Sequence, residues 1–244
     1  MGKACRGSTL IAADQPKIFE GNIIAALSSA DDGNMSYLTG VQGNTLENRE
    51  KFLENAGIDS HHTTFMQVRY SEAEHFTRYK IVDETHKKMG LESAESSLVG
   101  DAVIVTEPRH AIFLPLADCA GAIIYDTKRK ILMVSHLGRH STEEQGGTKS
   151  IEYLKEKFQS NPDDMLVWMS PAVGKETYPL HRFGGQALQE VLLGQLLEAG
   201  VPRKNIEICS ENTATNPNYF SHSQHLLGNG ASNDRFAIAA MMTD

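Results

Sequence analysis

Cys119 and His136 are the two residues of this chain whose types and spacing point most directly to chemistry. They flank two β-rich runs, residues 121–125 and 131–135, which are separated by the polar turn 126–130. Folding this hairpin about residue 128 places Cys119 opposite about residue 137. His136 then becomes a cross-strand or near-diagonal neighbour, in a ladder where paired Cβ atoms lie about 4.5–5.5 Å apart. An error of one residue in the register would turn one side chain to the other face.

A cysteine beside a histidine has two chemical uses. As thiolate and imidazole, the pair binds zinc. Alternatively, the imidazole stabilises the thiolate charge and makes the cysteine a nucleophile. A third interpretation also stays open, in which a buried cysteine and a hydrogen-bonded histidine simply face each other. Asp118 favours a functional site, since an acid between Ala117 and Cys119 in an apolar stretch needs a partner or a polar cavity.

The elements that must position this pair are predicted from hydrophobic periodicity and turn residues. Helices are expected at residues 45–56, 147–158 and 186–199. Strands are expected within 8–28 and at 64–68, 102–105, 111–116, 121–125, 131–135, 165–169, 206–209 and 236–241. Residues 70–100 are polar and ambiguous. Because strands cluster and helices intervene irregularly, the pattern favours an α+β fold over a regular βαβ alternation.

Composition limits the function classes. The chain has 244 residues and a net charge of −8, without a linker or a repeat, so we expect one domain over residues 1–244. The acidic balance disfavours nucleic-acid binding. No apolar run reaches the about 18–20 residues that span a membrane, and no secretory signal begins the chain, so a cytoplasmic protein is expected. Three distant cysteines without CxxC spacing disfavour a disulfide framework and a zinc ribbon.

Several motifs in chain order resemble the laccase-domain (polyphenol oxidase, YfiH-like) family. The central ones are residues 100–106, which resemble the family's GDA-x-x-T strand, Ala117-Asp118-Cys119 as the ADC motif, and Ser135-His136-Leu137-Gly138 as a partial AHAG motif. Weaker matches are the N-L-x-x … E-N-R stretch at residues 34–49, GPSIG…Y at 170–178, and F-F-S … G-R at 219–235.

The resemblance implies a single-domain four-layer α/β/β/α sandwich. It also implies a zinc site built from one further His with Cys119 and His136. Members are described as acting on purine nucleosides, by phosphorolysis with phosphate and by adenosine deamination. Copper is not expected, because a multicopper oxidase needs many His ligands and the ten His of this chain contain no H-x-H pair.

One departure from the family is consequential. The family's first zinc ligand lies in a Q-V-H-G motif, but the matching position here is Arg69, which is always charged and cannot ligate zinc. Candidate replacement ligands are His75, His140 and Asp118. Alternatively, Arg69 stabilises the Cys119 thiolate in a metal-free Cys–His hydrolase, occupies the zinc position in an inactive ligand-binding relative, or lies on the surface.

The sequence therefore predicts an enzyme resembling purine nucleoside phosphorylases and adenosine deaminases, with a degenerate zinc site. Its catalytic candidates are Cys119, His136, Asp118 and Arg69, of which Cys119 and His136 are the metal ligands. The resemblance assigns substrate binding to Arg49, Arg139, Tyr219 and Arg235, with Arg139 displaced by one position from the family's arginine. The alternative is a catalytically inactive relative that binds a small molecule or a partner.

Overall fold

Two mixed β-sheets form the centre of the protein in the computed structural model, which describes residues 10–19, 21–69, 76 and 78–243. The strands are β1 (Ile23–Leu27), β2 (Thr63–Gln67), β3 (Tyr79–Val82), β4 (Leu98–Val99), β5 (Ala102–Val105), β6 (Ala111–Leu116), β7 (Ala120–Asp126), β8 (Ile131–Leu137), β9 (Met165–Met169), β10 (Ile206–Ile208) and β11 (Phe236–Met242). One sheet has the order β1-β11-β6-β2-β4, and the other has the order β10-β9-β7-β8-β5-β3.

Five α-helices accompany the sheets in the described ranges: α1 (Thr45–Asn55), α2 (Arg139–Glu143), α3 (Gly146–Phe158), α4 (Leu188–Glu198) and α5 (His222–Leu226). The three predicted helices are confirmed as α1, α3 and α4, and α1 ends before Gly57, which has the positive φ of a helix stop. None of the helices in these ranges is long and apolar enough to cross a membrane.

Three apolar clusters define four layers. Between the sheets lies one core, which includes Trp168 and Phe236. On the outer face of the six-stranded sheet, α3 and α4 pack through residues such as Ile151 and Leu192. On the outer face of the five-stranded sheet, α1 packs through Phe52 and Leu53. The fold is thus the α+β, α/β/β/α sandwich that the resemblance implied. A single domain over residues 1–244 stays a prediction, which the core shared by both sheets supports.

The N-terminal third differs most from expectation. Of the strands predicted in residues 8–28, the described part contains only β1, because residues 11–19 form turns and bends. The ambiguous segment 70–100 contributes the short strands β3 and β4. Each pairs in parallel with a single neighbour, β3 with β5 and β4 with β2, so both are edge strands. Because such short edge strands depend on pairing with residues distant in sequence, their local residues do little to predict them.

The β7–β8 hairpin has a register that differs slightly from the predicted one. Gly121 pairs with His136 and Ala120 with Leu137, so the hairpin is centred between residues 128 and 129. The shift arises because the loop has four residues, 127–130, and Asp126 Oδ1 accepts the amides of Lys128 and Arg129 at 2.9 Å. Extrapolating the ladder puts Cys119 opposite residue 138. Cys119 and His136 are therefore diagonal neighbours on one face, within the predicted alternatives.

Gly121 lies where the two sheets approach each other closely. A Cβ built there would lie 2.5 Å from Ile238 Cδ1 and 2.8 Å from Leu116 Cδ1, both in the core between the sheets. We expect Gly121→Ala to lower the free energy of unfolding by about 1–3 kcal/mol, because overpacking forces these side chains from their positions.

The matched control is Gly194→Ala in α4, where an added Cβ would meet no atom of the described chain within 4 Å. Since alanine favours helix over glycine, this change should stabilise the protein by about 0.5–1 kcal/mol. Urea denaturation of the three proteins measures both effects. Equal unfolding free energies for Gly121→Ala and the parent would show that the sheets are more loosely packed here.

Candidate functional site

A cavity of about 300 Å³ opens at one end of the space between the sheets. It is bounded by the ends of β2 and β6 from one sheet, by β8 from the other, by α1 and α5, and by the loops between these elements. Its chemically significant lining residues are Tyr37, Thr39, Arg49, Gln67, Cys119, His136, His222 and Arg235, and its apolar ones include Met66, Pro115 and Leu116. The cavity thus contains Cys119 and His136, which the sequence placed together, and two of the four predicted substrate-binding residues.

His136 lies on β8 and faces the inter-sheet side. It pairs across the hairpin with Gly121, and the imidazole is only 6% exposed. Its backbone amide donates to the carbonyl of Asp101 at 2.9 Å. Burial lowers the pKa of His136 to about 4, against an opposing effect of the Asp101 carboxylate. The ring is therefore neutral at pH 7.

The Asp101 carboxylate is itself held by Arg78. The guanidinium donates to both carboxylate oxygens, with Nη2 to Oδ1 at 2.7 Å and Nε to Oδ2 at 3.2 Å. Arg78 Nη2 also donates to the carbonyl of Arg69 at 2.6 Å. This ion pair therefore connects the end of β2 to the residue that supports the His136 backbone.

Cys119 is half-buried at the start of β7 and packs against the inter-sheet core. It follows Asp118, whose backbone adopts a φ of 71° and whose side chain is largely buried. Asp118 Oδ1 accepts the hydroxyl of Thr213 at 2.7 Å, and its Oδ2 accepts the amide of Ser223 at 2.6 Å. The carboxylate therefore has hydrogen-bond partners, and it holds the Thr213 loop and the first turn of α5 beside Cys119.

Arg49 is a buried cation at the cavity wall, only 3% exposed. Its Nε donates to the Met35 carbonyl at 2.9 Å and its Nη1 to the carbonyls of Gly90 and Leu91 at 2.5 and 3.4 Å. Its guanidinium carbon lies 4.4 Å from the centroid of the Tyr37 ring.

Within the described ranges no carboxylate pairs with Arg49. Burial is the largest influence on its pKa, which it lowers to about 10. A buried positive charge held only by carbonyls and rings favours an anion at this wall.

Arg235 reaches the same cavity from the chain that precedes β11. Its Nη1 donates to the backbone carbonyls of Asn233 and Asp234 at 2.8 and 2.9 Å and to Asn233 Oδ1 at 3.0 Å. The two arginines from the predicted substrate-binding set are thus brought together, although residues 49 and 235 are far apart in sequence.

The other predicted residues lie elsewhere. Arg69 is exposed just after the end of β2, outside the cavity lining. Arg139 is exposed at the start of α2, with its guanidinium 5.3 Å from the Tyr178 ring centroid. Tyr219 is buried, packs against Phe236 and donates to Asp14 Oδ2 at 2.6 Å.

The zinc site implied by the resemblance is incomplete in the described part of the chain. In residues 10–19, 21–69, 76 and 78–243, no three His, Cys, Asp or Glu side chains lie close enough to hold a metal ion. Asp118 is engaged as described, His140 is exposed on α2, and His75 lies outside the described residues. Cys119 and His136 alone do not meet the requirement for three protein ligands at a catalytic zinc site.

Residues 29–190 match the family described as "Multi-copper polyphenol oxidoreductase laccase". The chain belongs to this family. The match includes Arg49, Cys119 and His136 and ends before the part of the chain that contains His222 and Arg235. The family resemblance inferred from the ADC and AHAG-like motifs is therefore confirmed.

Two curated relatives are named purine nucleoside phosphorylase. The one from Clostridium acetobutylicum is 28% identical over 109 residues, which cover 44% of this chain and 45% of that protein. The one from Bacteroides thetaiotaomicron is 21% identical over 159 residues, covering 55% of this chain and 59% of that protein. The chain thus matches about half the length of these relatives.

Solved structures show the same fold at low identity. YlmD of Geobacillus stearothermophilus has a TM-score of 0.81 and 18% identity, and covers 94% of both chains. The hypothetical protein YfiH of Bacillus licheniformis has a TM-score of 0.78 and 20% identity, and covers 96% of this chain and 98% of that one. At these identities the likeness establishes the fold alone.

Sequence reasoning missed His222 as a lining residue of this laccase-family cavity. The weak F-F-S match at residues 219–221 was the available signal for His222, because His222 directly follows that motif in the sequence. Tyr37 was also missed. It lies just after Asn34, whose side chain organises the loop by donating to three backbone carbonyls.

The two described cysteines should differ in reactivity. Burial raises the pKa of Cys209 to about 11, whereas Cys119 is half-buried and lines the cavity. Since the thiolate is the reactive form, we expect iodoacetamide at pH 8 to modify Cys119 more than about 10-fold faster than Cys209. Peptide mass spectrometry measures the two rates in a Cys5→Ser background. Comparable rates would show that the cavity does not admit a small electrophile to Cys119.

Proposed function

We propose that this laccase-family protein is an enzyme of the purine nucleoside phosphorylase type, acting on adenosine-like nucleosides in the Cys119–His136 cavity. The observation that carries the proposal is the buried Arg49 guanidinium, which lacks a carboxylate partner in the described chain and lies in one cavity with a thiol and a neutral imidazole. The names of the two curated relatives support the substrate class.

Phosphorolysis needs an anion held beside an uncharged heterocycle. A phosphate oxygen forms a bond to the ribose C1′, the bond between C1′ and the purine nitrogen breaks, and its electron pair leaves with the purine, which takes a proton. Arg49 and Arg235 would hold the phosphate, since guanidinium groups match phosphate geometry. Because Arg49 is fixed by three carbonyls, its charge is already oriented before phosphate binds.

The remaining lining suits a nucleoside. Met66, Pro115 and Leu116 offer apolar surface for the purine, and Tyr37 offers an aromatic ring. The volume of about 300 Å³ lies at the lower end of the range for small-molecule pockets. His136 and Cys119 would then contact the reacting part of the nucleoside from β8 and β7, one as a neutral hydrogen-bonding ring and the other as a thiol.

Adenosine deamination is the related reaction that the resemblance implied. There, a water oxygen bonds to C6 of the purine and ammonia leaves. Inosine as product reports it. We propose no step on zinc in either reaction, because Cys119 and His136 are two ligands and a catalytic zinc site needs three from the protein.

The decisive experiment is a turnover assay. Purified protein is incubated with adenosine, with and without phosphate, and adenine and inosine are followed by chromatography, with zinc per chain measured in the same preparations. We expect adenine that depends on phosphate, and a loss of at least about 100-fold in Cys119→Ala if the thiol contacts the reacting atoms.

Cys209→Ala is the matched control, because Cys209 is a described cysteine outside the cavity lining and should leave turnover unchanged. Adenine formed equally by Cys119→Ala and the parent would contradict a role for Cys119. Neither adenine nor inosine from the parent protein would contradict the proposed activity.

A second candidate is a non-catalytic relative that binds a nucleoside. It is favoured by Arg69, which stands where the family has a zinc-ligating His, and by the incomplete ligand set of the described chain. Adenosine binding that persists in Cys119→Ala, without turnover by either protein, would select this function.

Arg49 should control phosphate affinity in particular. In Arg49→Lys the charge remains but the planar guanidinium is lost, so we expect the KM for phosphate to rise about 10-fold or more. The KM for adenosine should change little, because the apolar walls are untouched. Initial rates over a matrix of the two substrate concentrations separate the constants, and thermal unfolding checks that the fold persists. Equal increases in both constants would indicate a structural role for Arg49.

A further inference from the structure

We propose that His222 is a specificity-determining residue of this cavity, whose Nε2 accepts a hydrogen bond from an N–H or O–H group of the bound nucleoside. The inference rests on the proposed function and adds to it a residue from the part of the chain beyond the matched residues 29–190. His222 lines the same cavity as Cys119, His136 and Arg49.

His222 is held firmly at the cavity by its neighbours in the chain. It is the first residue of α5, and Ser221, just before it, caps the helix by accepting the amide of Gln224 at 3.2 Å. The amide of Ser223, just after it, donates to Asp118 Oδ2 at 2.6 Å. Since Asp118 adjoins Cys119, the backbone at His222 is tied directly to the Cys119 loop.

The hydrogen bonds of Asn233 determine which ring nitrogen of His222 carries the proton. Asn233 Oδ1 lies 2.9 Å from His222 Nδ1 and 3.0 Å from Arg235 Nη1. A guanidinium nitrogen can only donate, so the Asn233 atom facing it must be the oxygen. His222 Nδ1 must then donate to that oxygen as well, and a neutral His222 has its free electron pair on Nε2.

An acceptor at this place complements the other groups of the cavity. Arg49 and Arg235 offer N–H donors, and the apolar walls offer neither donors nor acceptors. A purine nucleoside has donors of its own, the exocyclic amine and the ribose hydroxyls. A site that holds an acceptor for one of these groups discriminates against an analogue that lacks it, because the acceptor, half-buried here, is then left without a partner when the ligand covers it.

Two substitutions test the role of the nitrogen. His222→Phe keeps a ring but removes the acceptor, and His222→Gln restores an acceptor without the ring. We expect kcat/KM for adenosine to fall about 3- to 10-fold in His222→Phe, the size expected for one hydrogen bond, and to recover in part in His222→Gln. His225→Phe is the matched control, since His225 lies on the same helix, is exposed and is outside the cavity lining.

Substrate analogues distinguish this role from a structural one. The same proteins are assayed with 2′-deoxyadenosine, 3′-deoxyadenosine, 5′-deoxyadenosine and purine riboside, each of which lacks one donor group. The analogue without the donor that pairs with Nε2 should lose nothing further in His222→Phe, whereas the others should lose as much as adenosine. A uniform loss across all five nucleosides would overturn the proposal, and so would a fully active His222→Phe.

A second measurement does not depend on turnover. Nitrogen-15 NMR of the histidine rings reports the tautomer, and we expect His222 to carry its proton on Nδ1, with its Nε2 signal moving when adenosine is added. An Nε2–H tautomer, or an Nε2 signal that stays in place while adenosine binds, would overturn the proposal even in an active enzyme. If the parent binds adenosine without turnover, dissociation constants replace kcat/KM in the comparison. If it binds no nucleoside, both this inference and the proposed function fail.

Discussion

The pairing of Gly121 with His136 is the constraint on which the site depends. In an antiparallel ladder, directly paired residues project to the same face, so this register directs the imidazole into the space between the sheets. The missing side chain at Gly121 admits Ile238 and Leu116 of the other sheet beside it, and Cys119 is the diagonal neighbour of His136. A slip of one residue would turn His136 toward the helical layer. The turn that prevents the slip is held by Asp126, whose side chain accepts two amides of the loop.

Two aspartates, Asp118 and Asp101, hold the chain segments around the site in place. Asp118 fixes the loop that contains Thr213 and the helix α5 that contains Ser223, and Asp101 accepts the His136 amide through its carbonyl while its side chain pairs with Arg78. Charge-assisted bonds of this kind hold loops in one arrangement more firmly than bonds between neutral groups. The site is therefore positioned by ionic contacts at its edges and by apolar packing of the sheets at its base.

The electrostatic character of the cavity follows from burial. The fold places a guanidinium in the wall, where carbonyls and aromatic rings surround it, and a neutral imidazole nearby. Such a cavity favours an anion together with an uncharged ring system. This combination supports the proposal that phosphate and a purine nucleoside are the substrates. The overall net charge of −8 does not conflict with that proposal, since local and overall charge are independent.

Local sequence determined much of this protein. Periodicity located α1, α3 and α4 and most strands within a few residues, and the ADC and AHAG-like motifs identified the family and the Cys119–His136 pair. These signals are local because helical and strand spacing repeats within a few residues. Tertiary structure alone decided which residues surround the pair. It placed Arg49 and Arg235 in the cavity and left Arg69, Arg139 and Tyr219 outside its lining, although all five come from comparable motif matches. It also added His222 to the cavity. Segments from distant parts of the chain meet only after the two sheets have packed, so the spacing of residues along the sequence does not predict that contact.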